Sequence, residues 1–324
     1  MDRRDFLKKG TLAASLAASP KALQPLVAGE VPGPGSSIPR RSLGRTGDEL
    51  SIIALGGIVV TDTEQSFANN IVAEAYDRGI NYFDVAPTYG NAQERLGPAL
   101  EPYRKKSFLA CKTTKRDKDG AARELDDSLR KLRTDHVDLY QFHAVTTKED
   151  VEKIFGPNGA METFQAARKA GKTRFIGFSA HSVENALAML DRFDFDTILF
   201  PINFVLFSQA NFGPQVLKRA REKSMGILAL KAMARGAWPE PQKKDHPFPK
   251  CWYEPAKLPE QASMGLRWTL SQPITAAVPP GEEKYFRLAM DVAQNFQPIS
   301  AEEEKTLMAS AAGVEPIFHL GTAG

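Results

Sequence analysis

Cysteine is scarce in this chain: Cys111 and Cys251 are the only two in 324 residues. Two thiols make neither a disulfide framework nor a metal site. Cys111 lies in an apolar run and reads as a small core residue, and a Cys111–Cys251 bridge would need an oxidising compartment. Long apolar runs are also missing. No stretch reaches the roughly 18 residues of a membrane span, so none is expected in the mature protein. Charge of one sign is not in excess, with 42 Lys and Arg against 39 Asp and Glu and no sustained basic run. No nucleic-acid role is therefore expected. No Gly-x-Gly-x-x-Gly follows any predicted strand, which argues against a doubly wound nucleotide-binding sheet. What remains is ordinary globular composition, 42% hydrophobic and 25% charged, in a chain long enough for one large α/β barrel or two smaller domains.

From residue 41 the pattern alternates. Strands are expected at Ile52–Leu55, Tyr82–Asp84, Phe108–Lys112, Val137–Phe142, Arg174–Ser179, Thr197–Pro201, Gly226–Lys231 and Thr275–Val278. Helices are expected between them at Glu64–Asp77, Gln93–Leu100, Ala121–Leu132, Glu149–Ala170, Val183–Leu190, Pro214–Lys223 and Leu258–Leu270, with Glu282–Asn295 after the last strand. Glycine just past Asp77 and Ala170, and Ser182 before Val183, mark helix ends. Eight strand–helix units in one run favour a (β/α)8 TIM barrel over residues 41–324, with residues 1–40 as a separate leader and linker.

The chemistry gathers around Asn81–Gly90, NYFDVAPTYG. Asp84 ends a short apolar strand, Pro87 forces a turn, and Tyr89 follows. Lys112 and His143 end the next two apolar runs in the same way. Each alone has a structural reading: a turn-former, a packing tyrosine, a paired lysine, a core histidine. Together, at successive strand ends, they suggest an active site at the top of a barrel. A phenol is a weak acid at neutral pH, and a nearby ammonium favours its anion. Lys112 can supply that charge, Asp84 can hold Lys112, and His143 can orient a carbonyl oxygen. Hydride would have to come from a cofactor, since no side chain donates it.

These stretches, with Gln93–Gly97, Arg41–Gly57 and GKTRFIGFSAHS at Gly171–Ser182, resemble the aldo–keto reductases. The resemblance covers about residues 40 to 312. It implies a reductase of aldehydes or ketones, running in either direction, with a small-molecule carbonyl substrate and a nicotinamide cofactor, NADPH or else NADH. The implied catalytic residues are Asp84, Tyr89, Lys112 and His143. Gly57, Ser179, Lys231, Arg235, Gly281 and Lys284 are the implied cofactor contacts, and no metal is expected. Two positions depart from the family pattern. Ala180 stands where an asparagine follows the serine, and Pro201 falls where a glutamine is expected; either His181 or Asn203 replaces those contacts, or the backbone suffices. On the adenosine side Glu282 and Glu283 would repel a 2′-phosphate that Lys284 and Arg287 would attract. The Trp238–Pro255 insertion reads either as an apolar lid or as a rigid outer loop. A nicotinamide-binding sensor or partner subunit on the same barrel is the alternative function.

The leader resembles a twin-arginine export signal: Arg3-Arg4, then Phe6-Leu7-Lys8, then a mild apolar run from Thr11 to Ser19, with Asp2 where serine or threonine is usual. It implies the twin-arginine export machinery as a partner, a periplasmic location, and cleavage after Ser19 or Ala28. A disordered basic tail on a cytoplasmic protein is the alternative.

Overall fold

The computed structural model describes residues 37–321, and the leader with Arg3 and Arg4 lies outside them. Eight parallel strands form one sheet in sequential order. We number them β1 (Leu55–Gly56), β2 (Tyr82–Asp84), β3 (Phe108–Thr113), β4 (Val137–Val145), β5 (Thr173–Ala180), β6 (Thr197–Pro201), β7 (Gly226–Leu230) and β8 (Ala276–Val278). The edges meet just before β1: Ile53 bridges Ala277, and Ala54 N donates to Ala277 O at 3.0 Å. The fold is the (β/α)8 barrel expected from the alternation.

Pleating explains the sequence pattern, because alternate side chains face opposite sides of a strand. Phe83, Leu109, Tyr140, Ile176, Ile198 and Ile227 pack outward under the helices. Tyr82, Ala110, Leu139, Leu199, Leu228 and Ala276 fill the barrel interior. A short antiparallel hairpin, Arg40–Ser42 with Glu49–Ser51, precedes the barrel. Its Leu43 and Leu50 are wholly buried and join that inner layer. The floor of the barrel is therefore closed by residues just ahead of β1.

The helices differ from expectation in two places. The run Glu149–Ala170 is two helices, Lys148–Phe155 and Ala160–Lys169. Gly156-Pro157-Asn158-Gly159 separates them: proline disfavours helical geometry in the residue before it, and Gly156 is extended while Asn158 has φ of +55°. After β6 a short helix, Phe204–Gln209, precedes the expected one, Pro214–Glu222. The insertion after β7 is anchored by a two-stranded pairing of Ala234–Gly236 with Glu254–Pro255. A helix at Ala301–Ser310, capped by a reciprocal Ser300–Glu303 box, follows the helix Glu283–Gln294. Cys111 and Cys251 are both free and buried.

Candidate active site

The strand period places the first four residues. On β2, Tyr82 and Asp84 share the inner face; on β3, Ala110 and Lys112 do; on β4, Leu139, Gln141 and His143 do. The parallel register sets Asp84 beside Ala110 and Lys112 beside Gln141. Lys112 therefore lies one layer above Ala110 and reaches back to Asp84 in a buried ion pair. Tyr82 Oη donates to the other Asp84 oxygen at 3.1 Å, Gln141 Nε2 donates to it at 3.4 Å, and Lys112 Nζ also donates to Val85 O at 3.3 Å. A buried charge pair needs this additional bonding, since desolvation alone outweighs much of the attraction.

Tyr89 comes off the turn after β2 and leans over this pair. The Lys112 Nζ lies 5.1 Å from the Tyr89 ring centroid, and the Tyr89 and His143 rings meet edge-on at 5.6 Å. Thr88 Oγ1 lies 3.4 Å from His143 Nδ1. The backbone around His143 is braced from both sides. Arg116 donates to His143 O at 2.7 Å and to Ala144 O at 3.1 Å, and Ser179 Oγ accepts from Ala144 N at 2.8 Å. Ala144 itself is left-handed, with φ of +52°. All four residues named from the strand ends are thus brought together.

Their electrostatics divide the roles. Burial pulls the Lys112 pKa down, but Asp84 and Tyr89 outweigh it, and the ammonium ends above its ordinary value. Burial pushes the Tyr89 phenol up, Lys112 pulls it down, and Asp84 raises it again; the net direction is up. The lowering by Lys112 argued from the sequence is present, but it does not win. Tyr89 therefore stays a protonated phenol at neutral pH. Burial, then the charge of Lys112, push the His143 imidazole down to about 2, so it is neutral.

The residues named for the cofactor lie along the ends of β1, β5, β7 and β8. Gly57 packs so closely that a Cβ would come within 2.7 Å of Val85 Cγ2, and one on Gly281 would come within 2.3 Å of Ile58 Cγ2. Lys231, just past β7, turns its ammonium onto two rings, 4.7 Å from the Trp252 centroid and 4.5 Å from that of Tyr253. Arg235 pairs with buried Glu254 at 2.7 Å. Lys284 lies 4.0 Å over the Phe248 ring, whereas Arg287 pairs with Glu74 and Glu283. Lys284 and Arg287, both expected to attract a 2′-phosphate, are thus engaged by different partners. Asn203 is no substitute amide for the nicotinamide: its side chain donates to Lys231 O and Ala234 O and accepts from Leu206 N. His181 stacks on Phe318 at 5.0 Å.

The aldo/keto reductase family profile matches residues 53–308, most of the chain and all of this site. The chain belongs to the aldo/keto reductase family. It is similar to an uncharacterized oxidoreductase of Bacillus subtilis, YqkF, at 25% identity over 83% of this chain and 95% of that one. It is also similar to an NADPH-dependent alpha-keto amide reductase of Saccharomyces cerevisiae, at 27% identity over 68% of this chain and 74% of the other. The holo form of an aldo-keto reductase of Bacillus halodurans superposes with a TM-score of 0.66, at 20% identity, over 86% of this chain and 98% of that one, which speaks to the fold. The protein is an oxidoreductase enzyme of this family, acting on carbonyl compounds with NAD(P)H.

Within this aldo/keto reductase, the insertion closes on the barrel rim. Trp238 stacks on His246 at 4.1 Å and its Nε1 donates to Cys251 O at 3.0 Å. Lys250 Nζ donates to Val59 O at 2.9 Å and Lys250 N to Glu282 Oε1 at 2.7 Å. The segment therefore spans from the loop after β1 to the loop after β8. A different cleft, of about 1040 Å³, lies at the opposite end of the barrel. It contains none of the candidate residues, and its Arg104 and Arg174 are both bonded to Asp138. Sequence reasoning missed Tyr82, Gln141 and Arg116 as supports of the site. The inward phase of β2 and β4 would have found the first two; Arg116 acts through backbone carbonyls and has no such signal.

Proposed function

We propose that the enzyme reduces an aldehyde or ketone with NADPH, with Tyr89 as proton donor, and that NADH is the weaker cofactor. The observation that carries the catalytic assignment is the buried Asp84–Lys112 pair beneath Tyr89. The donor set suits a nicotinamide dinucleotide: Lys231, Lys250 and Lys284 lie along the rim formed by the segments after β7 and β8, beside a phenol and an imidazole. The cofactor, when bound, supplies the hydride that no side chain can. The protein residues do the rest. Tyr89 gives its proton to the substrate oxygen as the alcohol forms, and the Lys112 ammonium stabilises the phenolate left behind. Asp84 keeps Lys112 charged and fixed. Neutral His143 donates a ring N–H to the carbonyl oxygen and orients it. In the oxidising direction the same groups act in reverse. Gly57, Gly281 and Ser179 are assigned to the cofactor floor, and the basic rim to its phosphates. The NADPH choice draws on family membership and on the NADPH dependence of the yeast relative. The intact four-residue cluster and the family favour the enzyme over a sensor.

We also propose export through the twin-arginine route to the periplasm. Support comes from Arg3-Arg4 followed by Phe6-Leu7-Lys8. Two measurements test these readings. A panel of carbonyl compounds scored by loss of NADPH and, separately, NADH absorbance should show turnover, faster with NADPH; none with any carbonyl would remove the catalytic reading. Replacing Arg3 and Arg4 by lysine should retain the full-length chain in the cytoplasm, and a wholly cytoplasmic wild type would end the export reading.

A further inference from the structure

Lys231 has no carboxylate partner among the described residues. Its backbone is left-handed, φ +68°, an uncommon conformation for a residue with a side chain. That conformation is held by two hydrogen bonds to the Lys231 carbonyl, from Ala234 N at 2.9 Å and Asn203 Nδ2 at 3.1 Å. The turn delivers the ammonium onto the rings of Trp252 and Tyr253. Trp252 is 59% exposed, unusual for a large apolar residue, and meets Phe318 edge-on at 5.8 Å. Phe318 in turn stacks on His181. A wall of rings thus runs from His181 to Lys231.

The position of Lys231 relative to the chemistry decides what it can do. Its charge contributes to depressing both His143 and His181. It therefore lies within electrostatic reach of the imidazole that faces the substrate carbonyl. A ring face holds a cation weakly compared with a carboxylate, so the ammonium is available to an arriving anion. Burial brings its pKa down to about 8, which leaves it mostly protonated at neutral pH. Arg235, a few residues on, is by contrast already paired with Glu254.

We infer that Lys231, on its Trp252–Tyr253 platform, is a specificity-determining residue that selects carbonyl substrates carrying a carboxylate or another anionic group on a flat or apolar body. This deepens the carbonyl-reductase reading and rests on it. It also moves Lys231 from the cofactor phosphates to the substrate.

The test compares 4-carboxybenzaldehyde with its methyl ester, nearly the same shape without the charge, using NADPH. Wild type should favour the acid in kcat/KM. In Lys231→Met the acid-to-ester ratio should fall about tenfold or more, through KM, and Lys231→Arg should keep most of it. A parallel fluorescence titration gives the NADPH Kd of each protein. An acid-to-ester ratio near one in wild type overturns the inference without any variant. So does a Lys231→Met variant whose ratio is unchanged while NADPH binding weakens tenfold, which would return Lys231 to the cofactor. If neither aldehyde turns over, and no other carbonyl of the panel does, the reductase reading is what fails. Tryptophan quenching by 4-carboxybenzyl alcohol then decides the inference: tighter binding to wild type than to Lys231→Met supports it, and equal binding overturns it.

Discussion

The two sides of the barrel mouth are built differently. At the ends of β2, β3 and β4, Asp84, Lys112, Tyr89 and His143 bond or pack against one another, and Tyr82, Gln141 and Arg116 brace them. At the ends of β7 and β8, the basic residues are engaged by groups outside any such cluster: Arg235 by Glu254, Lys284 by Phe248, Arg287 by Glu74 and Glu283. The first side is preorganised, with charges fixed before any ligand arrives, which is how a site strengthens electrostatic stabilisation without reorganising during reaction. On the second side a phosphate would have to compete with partners already present. Substitutions on the first side should therefore act on turnover and folding, and those on the second on affinity.

The largest effect expected is on turnover. Tyr89→Phe should reduce kcat by ~10²–10⁴, the usual contribution of general acid catalysis, while leaving the NADPH Kd within a few-fold in a fluorescence titration. A variant with near-normal kcat would remove the proton-donor role and with it the contrast between the sides.

Next in size is the buried pair. Lys112→Met leaves Asp84 as an uncompensated buried charge, which costs about 3–5 kcal/mol in comparable cases. Tyr82 and Gln141 still donate to Asp84, so the lower end is expected, read as a shift in the denaturation midpoint. Adding Asp84→Asn should restore part of the loss. A double variant less stable than Lys112→Met alone would contradict the pairing.

Lys284→Ala addresses the second side. A charge-assisted contact is worth about 1.5–3 kcal/mol, so NADPH should weaken roughly tenfold while NADH changes little. Equal loss of both cofactors would mean that Lys284 holds the insertion through Phe248 and does not read a 2′-phosphate.

The smallest effect is a pH dependence of stability. His143 and His181 are pushed down to about 2 and about 3, below the unfolded value near 6.5. The unfolded chain therefore takes up protons first as the pH falls. The stability from keeping them neutral is whole above about 6.5 and declines below it, by at most about 1.4 kcal/mol per pH unit for each group. Partial exposure reduces that slope. Denaturant titrations at pH 7.5 and 5.5 should differ, and the difference should shrink in His143→Gln. No change between variants would mean that His143 titrates normally.

The amino-acid sequence was enough for the barrel, because eight apolar runs with helical segments between them leave few other ways to bury both layers. It was enough to expect Asp84, Tyr89, Lys112 and His143 near one another, because strand ends in a barrel converge. It did not separate Lys148–Phe155 from Ala160–Lys169, although Gly156-Pro157 was visible, since the apolar spacing continues across the break. Ionic and aromatic partners lay beyond reach. Arg235 with Glu254, Lys284 with Phe248, and Lys231 with Trp252 and Tyr253 join segments whose meeting depends on how the insertion folds back. The net pKa of Tyr89 was equally undetermined. Its sign is set by burial against the field of Lys112 and Asp84, and burial exists only once the chain has closed around it.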